Sequence, residues 1–313
     1  MIDRNASVMV TGGRGMVGSA IVWRLAGEGF AEILSPTREQ LDLRNPHAVD
    51  RWFDEHRPRY VFHAAGTVGG LGDNLARPAV FWSDNLLMTA AVLEAACTSG
   101  VEKLLYLGSS CIYPRDCPQP MREEMLLGGP LEPSNQAYAV AKISGVIGCQ
   151  SYRAQFGNNF ISALPCNLYG PGDHFEPHRS HVAAALVRKF HDARESGDKS
   201  VVIWGTGQPR RELLHVDDAA DACLHLMDHY EDPLPINVGS GEDLSIKQLA
   251  ELVRELIHPS ARLEFDVSRP DGVPRKLLDT RRLSELGWRP QTGLREGLAS
   301  AYQWFLEQQA PAL

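Results

Sequence analysis

Four side chains capable of acid–base chemistry fall in two short segments of the chain. Ser109 and Cys111 lie in the segment Gly-Ser-Ser-Cys-Ile-Tyr at 108–113, and Tyr138 and Lys142 are four residues apart further along. In a helix such a spacing places both side chains on one face. We expect the lysine ammonium to lower the tyrosine pKa, and Tyr138 to protonate a carbonyl oxygen that Ser109 hydrogen-bonds. Cys111 adds an acid–base group that a plain carbonyl reductase does not need.

A glycine-rich loop near the start of the chain predicts a nucleotide site. It follows a β-prone run at 7–11 and precedes an apolar helical pattern, the order of a dinucleotide-binding unit. Gly12 permits a tight turn, Gly15 lets the backbone approach a pyrophosphate at the helix N-terminus, and Gly18 allows close helix–strand packing. The predicted cofactor contacts of this loop are Gly12, Gly13, Arg14, Gly15, Met16, Val17 and Gly18. The alternative is a glycine-rich turn in an unrelated α/β domain.

The end of the second predicted strand indicates which dinucleotide is bound. Residues 35–38 read Ser-Pro-Thr-Arg and lack the acidic residue that would hold a ribose diol. Arg38 and Arg14 are instead placed to grip a 2′-phosphate. We therefore expect NADP(H), the alternative being that both arginines are solvated surface residues. Asp42 and Leu43 are predicted to contact the adenine edge.

The alternation of strands and helices predicts an α/β fold: a Rossmann-type doubly wound parallel sheet with a smaller C-terminal α/β substrate domain. The segments expected for the first part are strands at 31–35, 60–63, 104–107 and 160–164 and a helix at 78–98. Proline and glycine density rises at 167–173, which predicts an NADP-binding domain at 1–168 and a second domain at 169–313. Residues 213–240 are expected to pack back on the first domain. In the second part, helices are expected at 182–196 and 294–308, and strands at 201–204 and 262–267. A further helix is expected to begin at Ser245, where Ser245 and Gln248 form a capping box.

Composition excludes several classes of function. The 313 residues are 43% hydrophobic and 22% charged with a net charge of −8, and no Lys/Arg run predicts nucleic-acid binding. No apolar run approaches the roughly 20 residues of a membrane span and no leader pattern is recognised, so we expect a cytoplasmic protein without a membrane partner. The six cysteines, at 97, 111, 117, 149, 166 and 223, show no metal-ligand spacing, so no metal is expected.

These motifs resemble the extended short-chain dehydrogenase/reductases and, within that superfamily, the GDP-L-fucose synthase family. The resemblance runs almost end to end and is carried by residues 15–20, 107–114, 167–171, 180–182, 214–218 and 270–279. The last block and the Ser-Ser-Cys run are specific, whereas the glycine loop and Tyr-x-x-x-Lys mark only the superfamily. The resemblance implies a bifunctional NADPH-dependent 3,5-epimerase and 4-reductase that converts GDP-4-keto-6-deoxy-D-mannose to GDP-L-fucose, and a homodimer.

The resemblance also implies roles for individual residues. It makes Ser109, Tyr138 and Lys142 the reductase set, Cys111 the epimerisation base and His181 its partner acid. Protons at C3 and C5 are acidified by the C4 ketone, so a thiolate and an imidazolium on opposite ring faces could invert both centres. Without the resemblance, a buried thiol and a capping or core histidine would be the simpler interpretations.

The remaining contacts follow from the same resemblance. Further cofactor contacts are expected at Leu107, Gly108, Tyr138, Lys142, Pro165, Asn167, Leu168 and His181. Substrate contacts are expected at Ser109, Ser110, Cys111, Asn167, Val182, Lys189, Trp204, Arg211 and Asp271. Arg211 and Lys189 would address the diphosphate and Trp204 the guanine, while His63 and His215 are expected to be structural.

Two departures from the family pattern leave the substrate open. Thr67 stands where the family usually carries lysine, and Lys189 where it carries arginine, which replaces a bidentate fork by a point charge. A paralogous synthase acting on a colitose- or heptose-type GDP-4-keto sugar would use the same residues. A dehydratase is disfavoured because the Asp-Glu pair is missing beside Ser109. A non-catalytic, cofactor-bound scaffold is the remaining alternative.

Overall fold

The computed structural model describes residues 1–176, 180–269 and 271–309, so Pro270 of the 270–279 block lies outside the described residues. The strands are β1 (Ser7–Thr11), β2 (Glu32–Leu34), β3 (Tyr60–His63), β4 (Lys103–Leu107), β5 (Asn159–Pro165), β6 (Asn167–Tyr169), β7 (Ser200–Trp204), β8 (Arg210–His215), β9 (Ile236–Val238), β10 (Asp243–Ser245), β11 (Arg262–Asp266) and β12 (Arg275–Lys276). The helices are α1 (Met16–Gly27), α2 (Pro46–His56), α3 (Leu71–Ala76), α4 (Pro78–Thr98), α5 (Gln136–Phe156), α6 (Val182–Ser196), α7 (Val216–His229), α8 (Ile246–Ile257), α9 (Arg281–Glu285) and α10 (Leu294–Gln309).

A six-stranded parallel sheet in the order β2-β1-β3-β4-β5-β9 forms the centre of the molecule. Every residue of β3 and β4 is buried, as expected for strands covered on both faces. The surrounding helices pack in two groups, α1 with α7 and α2 with α4 and α5. The predicted Rossmann-type fold class is thereby confirmed.

The order of these strands places the loops that follow them at one edge. From β1 the chain runs outward to β2, then returns through β3 and continues through β4 and β5 in the opposite direction. Ligands of such sheets bind beyond the carboxyl ends of the strands, at the point where the direction reverses. The glycine loop follows β1, Ser109 follows β4 and Asn167 follows β5, so all three lie at this edge.

Smaller sheets and a second hydrophobic core form the rest of the molecule. β8 lies between β10 and β12 and also pairs with β6, while β7 pairs with β11. The second core contains Phe190 of α6, Leu249 of α8 and Phe305 of α10. β9 follows these elements in sequence order but belongs to the central sheet. The division of the chain at residue 168 stays a prediction. No helix among the described residues is long and apolar enough to cross a membrane.

The structure contains helices and strands beyond those predicted. The helices at 78–98 and 182–196 have the predicted bounds, and both hydrogen bonds of the Ser245/Gln248 capping box are present. By contrast, α2, α3, α7, α9, β6, β8, β9, β10 and β12 were not predicted. The two- and three-residue strands among them are too short to show a hydrophobic period, and their pairing partners are distant in sequence.

We predict that Gly145→Ala destabilises the protein. A Cβ at Gly145 of α5 would lie 2.3 Å from Cζ of the fully buried Tyr106 ring on β4. The helix would have to move, at a cost of about 1–3 kcal/mol in the free energy of unfolding. Gly148→Ala is the control, because its Cβ would meet only the flexible end of Leu93, at 2.8 Å. Denaturant unfolding should show a loss for Gly145→Ala alone, and equal midpoints for both variants would contradict the prediction.

Candidate active site

A tight turn after β4 brings Ser109 and Cys111 together. Gly108 allows this approach, because a Cβ there would lie 2.6 Å from Leu164 Cδ2, and its N–H donates to Ala163 O at 2.8 Å. Ser109 then caps a one-turn 3₁₀ helix, and its Oγ accepts a hydrogen bond from Cys111 N at 3.1 Å. Ser109 and Cys111 are half-buried, whereas Ser110 between them is buried.

Helix α5 supplies Lys142, which is held against the end of β4. Its Nζ donates to Leu107 O at 2.8 Å and lies 5.1 Å from the centre of the Tyr106 ring. The side chain is buried, and this burial lowers its pKa to about 8. Lys142 is therefore a buried cation whose position is fixed by a backbone carbonyl.

The pKa of Tyr138 is raised, so the expectation that Lys142 lowers it was wrong. Burial is the main cause and the charge of Cys111 adds to it, while a hydrogen bond from Ser109 acts in the opposite direction. Lys142 does not compensate because its ammonium is directed to Leu107 O. Tyr138 consequently stays protonated at neutral pH, which suits a proton donor.

Cys111 has a lowered pKa despite its burial. Burial raises the pKa, but the charge of Lys276, hydrogen bonds from Ser109 and Lys276, and the charge of Arg211 together lower it. Lys276 Nζ lies 3.6 Å from Cys111 Sγ. Lys276 was not predicted from the sequence, although it lies in the specific block at 270–279. A cation in that block was the available signal.

His181 lies at the start of α6, where its carbonyl accepts a hydrogen bond from Ala185 N. The residue is exposed to solvent. Loss of solvation by the surrounding protein is the main cause that lowers the pKa of the His181 side chain, and the charges of His174 and Lys276 add to it. Lys276 thus acts on both His181 and Cys111, which places the two in one electrostatic environment. The neutral imidazole is favoured, whereas an imidazolium was expected from the sequence.

The glycine loop has the geometry of a diphosphate cradle. Gly12 has a φ of +72°, and a Cβ there would lie 2.8 Å from Ala65 Cα. A Cβ at Gly18 would lie 2.1 Å from Gly12 O, and one at Gly13 would overlap Ser35 Oγ. The N-terminus of α1 has no side-chain cap and no acidic residue in its first turn. The loop therefore fits a bound dinucleotide, whose diphosphate would accept hydrogen bonds from the free backbone N–H groups at the N-terminus of α1.

The predicted arginines lie together at the end of β2. Arg14 and Arg38 are both exposed, and both act on the carboxylate of Glu39. The pKa of Glu39 is lowered mainly by a hydrogen bond from Thr37, with smaller contributions from the two guanidinium charges. Both arginines are thus close enough to Glu39 to influence it, and both are exposed to solvent, as a contact to a 2′-phosphate requires.

Asp42 and Leu43, which were predicted to contact the adenine, are less accessible than the two arginines. Arg44 binds the Asp42 carboxylate through Nε at 3.0 Å and Nη2 at 2.7 Å, and these hydrogen bonds lower the Asp42 pKa to about 2. Leu43 is buried. The Asp42 carboxylate is therefore engaged within the protein.

The other predicted cofactor contacts lie near the same edge. Pro165 ends β5, and Asn167 and Leu168 are the first two residues of β6, which pairs with β8. The loop after β6 returns to the glycine loop, because a Cβ at Gly172 would lie 3.3 Å from Met16 Cα. The structure thereby brings the end of β6 to the start of α1.

The predicted substrate residues of the second part form contacts with one another and with the backbone. Lys189 Nζ donates to Val202 O at 2.9 Å and lies 5.0 Å from the Trp204 ring centre, a cation–π geometry. Arg211 Nη1 donates to Val273 O at 2.7 Å. Trp204 is 53% exposed and offers a flat surface. Val182 begins α6, directly after His181.

The Asp271 carboxylate is hydrogen-bonded to Thr206. Its Oδ1 accepts from Thr206 N at 2.9 Å and its Oδ2 from Thr206 Oγ1 at 2.6 Å. These bonds are the main cause of its lowered pKa, and the charge of Arg211 adds to them. The carboxylate thus fixes the segment that leads to Arg211's acceptor, Val273.

The two histidines expected to be structural have protein partners. His63 is fully buried with Nδ1 2.8 Å from Thr11 Oγ1, and burial lowers its pKa to about 3. His215 Nε2 lies 3.1 Å from Ser300 Oγ. Among the residues that the structure describes, no group of three or more His, Cys, Asp or Glu side chains could hold a metal ion.

We predict that Arg38→Ala weakens NADPH binding by about 10- to 100-fold, since a charge-assisted contact to a phosphate is lost. NADH binding should be unchanged, because NADH lacks the 2′-phosphate. Fluorescence titration with both dinucleotides measures the effect, and Arg262→Ala on β11 provides a control with the same loss of charge. An equal loss for NADPH and NADH would show that Arg38 does not contact the 2′-phosphate.

Known proteins share this fold and these motifs. The model of the NAD dependent epimerase/dehydratase family matches residues 8–239. Probable GDP-L-fucose synthase 1 of Oryza sativa subsp. japonica is 50% identical over 308 residues, covering 98% of this chain and 94% of that protein. GDP-L-fucose synthase of Escherichia coli strain K12 is 47% identical, covering 96% and 97%. The solved structure of a GDP-mannoheptose C4 reductase from Campylobacter jejuni with NADP bound has a TM-score of 0.88 at 35% identity, covering 98% and 100%. The chain therefore belongs to the NAD dependent epimerase/dehydratase family.

Proposed function

We propose that the protein is an NADPH-dependent 3,5-epimerase and 4-reductase that converts GDP-4-keto-6-deoxy-D-mannose to GDP-L-fucose. The observation that carries the proposal is the pairing of two proton-transfer groups in one site. Cys111, with a lowered pKa, lies in the same turn as Ser109, which hydrogen-bonds Tyr138, with a raised pKa. A base and an acid are thus available beside one another. The synthases from rice and Escherichia coli support the choice of reaction.

The reductase half uses the protonated Tyr138. NADPH, when bound in the glycine loop, supplies a hydride to C4 of the keto sugar. Ser109 hydrogen-bonds the C4 oxygen and Tyr138 gives it a proton, so that no charge remains on that oxygen. Lys142 would hold the cofactor ribose, and its hydrogen bond to Leu107 O fixes α5 against the end of β4. His181, Pro165, Asn167 and Leu168 complete the cofactor site.

The epimerase half uses Cys111 as a thiolate. Removal of the C3 or C5 proton forms an S–H bond, and the C–H electron pair moves onto the C4 oxygen. Ser109 and Tyr138 stabilise that oxygen by hydrogen bonding. A proton returns from the opposite ring face, where we place His181. Because the neutral imidazole is favoured, His181 must take up a proton before it can act as this acid. A bound diphosphate would favour this protonation electrostatically.

The nucleotide end of the substrate is held by the second part of the chain. Arg211 and Lys189 address the diphosphate, and the exposed ring of Trp204 stacks on the guanine. Ser110, Val182 and Asp271 shape this region. We keep the division into domains at 1–168 and 169–313 as part of the proposal, with the substrate bound between them.

A related substrate remains the second candidate. The heptose reductase from Campylobacter jejuni shares the fold at 35% identity, below the 47–50% of the two fucose synthases. Thr67 is the departure that bears on this choice. Its Oγ1 donates to Asp84 Oδ2 at 3.2 Å and its N–H donates to Asn85 Oδ1 at 3.0 Å, so it fixes its loop without supplying a cation. A panel of GDP-4-keto sugars, with NMR of product configuration, distinguishes the candidates.

We further propose a homodimer that forms through α4 and α5. These helices pack side by side and leave apolar side chains exposed on their outer surface. The exposed residues are Trp82 and Leu87 of α4 and Val140 and Ile147 of α5. A second copy of the chain would bury them, as the family resemblance implies.

We predict that Cys111→Ser abolishes deuterium uptake from solvent into the keto sugar while NADPH still binds. A serine hydroxyl is not ionised at neutral pH, so the base is lost. NMR of the sugar in deuterated buffer measures the exchange, and NADPH titration confirms the folded state. Cys97→Ser is the matched control. Uptake at the wild-type rate in Cys111→Ser would remove Cys111 from the proposed mechanism.

We predict that the double variant Leu87→Glu/Ile147→Glu is a monomer, because a charge at each position cannot be buried in an apolar interface. Light scattering after size-exclusion chromatography gives the mass. Val267→Glu, at a residue that is 72% exposed, is the control and should keep the wild-type mass. A dimeric double variant would place the interface elsewhere.

A further inference from the structure

A lysine from the C-terminal part of the chain lies against the Cys111 thiol. Lys276 Nζ is 3.6 Å from Cys111 Sγ, although the residues are 165 positions apart. Lys276 lies on β12, which pairs in parallel with β8 so that Lys276 is opposite Arg211. Two cations therefore converge on one thiol.

The backbone around Lys276 is fixed by side chains from other parts of the chain. Leu277 N donates to Gln119 Oε1 at 2.8 Å, and Leu278 N donates to the buried Glu212 carboxylate at 2.8 Å. Glu212 also accepts from Gly241 N at 2.7 Å. The strand that carries the Lys276 ammonium is thus anchored at its carboxyl end.

The other buried cysteines show what burial does without such a cation. Burial is the main cause that raises the pKa of both Cys149 and Cys223 to about 12. At Cys111 burial also acts to raise the pKa, but the net shift is downward, and Lys276 is the largest opposing cause. An opposite charge favours the ionised form, and a half-buried setting strengthens this interaction.

We propose that Lys276 is a positioning residue that keeps Cys111 in its thiolate form. The inference rests on the proposed function, in which this thiolate is the epimerisation base. The thiol proton leaves to solvent and the thiolate pairs with the ammonium. When the thiolate removes a C–H proton, an S–H bond forms, and the carbanion electron pair passes to the ketone oxygen. Lys276 keeps its three protons throughout.

The charged neighbours of the thiol support this assignment. Tyr138 on α5 faces it as a neutral phenol with a raised pKa, and Arg211 on β8 adds a second, smaller positive influence. Arg115 and Glu132 line the adjoining recess but lie 3.7 Å from each other and pair together. Lys276 is therefore the group whose removal should change the thiol most.

Alkylation of Cys111 by iodoacetamide tests the inference without substrate or cofactor. The rate follows the thiolate fraction, so its pH midpoint reports the thiol pKa. Mass spectrometry of the peptide that contains Cys111 separates it from the other cysteines. We expect Lys276→Gln to raise the midpoint by at least about one unit, with about a tenfold lower rate at neutral pH. Lys276→Arg, which keeps a cation, should remain near the wild-type midpoint.

Arg275→Gln is the matched control. It removes the same charge one residue earlier on β12, but Arg275 is bound to Asp243. Its midpoint should equal that of the wild type. If Lys276→Gln does not fold, as judged by NADPH binding, Lys276→Met keeps the aliphatic stem and removes the charge. An unchanged midpoint in a folded variant overturns the inference.

The two proposals fail separately. If Cys111→Ser stops deuterium uptake but removal of the Lys276 charge leaves the alkylation midpoint in place, Cys111 is the base and Lys276 does not tune it. If removal of that charge raises the midpoint but Cys111→Ser still exchanges deuterium, Lys276 tunes a thiol that is not the base.

Discussion

The hydrogen bond from Lys142 Nζ to Leu107 O is the constraint on which the active-site geometry depends. It joins α5 to the last residue of β4 over 2.8 Å. Because Tyr138 lies one turn earlier on α5 and Ser109 two residues after Leu107, the same bond sets the distance between the phenol and the serine. Gly108 and Gly145 permit this approach, since a Cβ at either position would overlap a neighbouring side chain.

Burial raises the pKa of both proton-transfer groups of the site, but their net pKa shifts are opposite. At Tyr138 it favours the neutral form and no adjacent cation offsets it, so the phenol keeps its proton. At Cys111, Lys276 and Arg211 overcome the same effect and favour the anion. The site thus holds an acid and a base in the forms their proposed steps require, because these two cations lower the pKa of the thiol and no cation lowers that of the phenol.

The sequence predicted those features of the fold and the site that depend on residues close to one another in the chain. Strand, glycine loop and helix are consecutive, and Tyr138 and Lys142 share a helix face by spacing, so the fold class and this part of the site could be read directly. Lys276 could not be found in this way, since its contact with Cys111 depends on the pairing of β12 with β8. The Tyr138 pKa was also misjudged, because the sequence does not reveal that Leu107 O holds the lysine ammonium.

The position of β12 links the two parts of the proposed reaction. Lys276 acts electrostatically on both Cys111 and His181, so one ammonium favours a thiolate and disfavours an imidazolium. A diphosphate bound at Arg211 and Lys189 would offset part of the positive charge around the site and raise both pKa values. His181 would then protonate more readily, while Cys111 would become a stronger base, at some cost in its thiolate fraction. Substrate binding would thereby favour the acid form of His181 and oppose the thiolate form of Cys111, so the charge of Lys276 is what keeps the thiolate available.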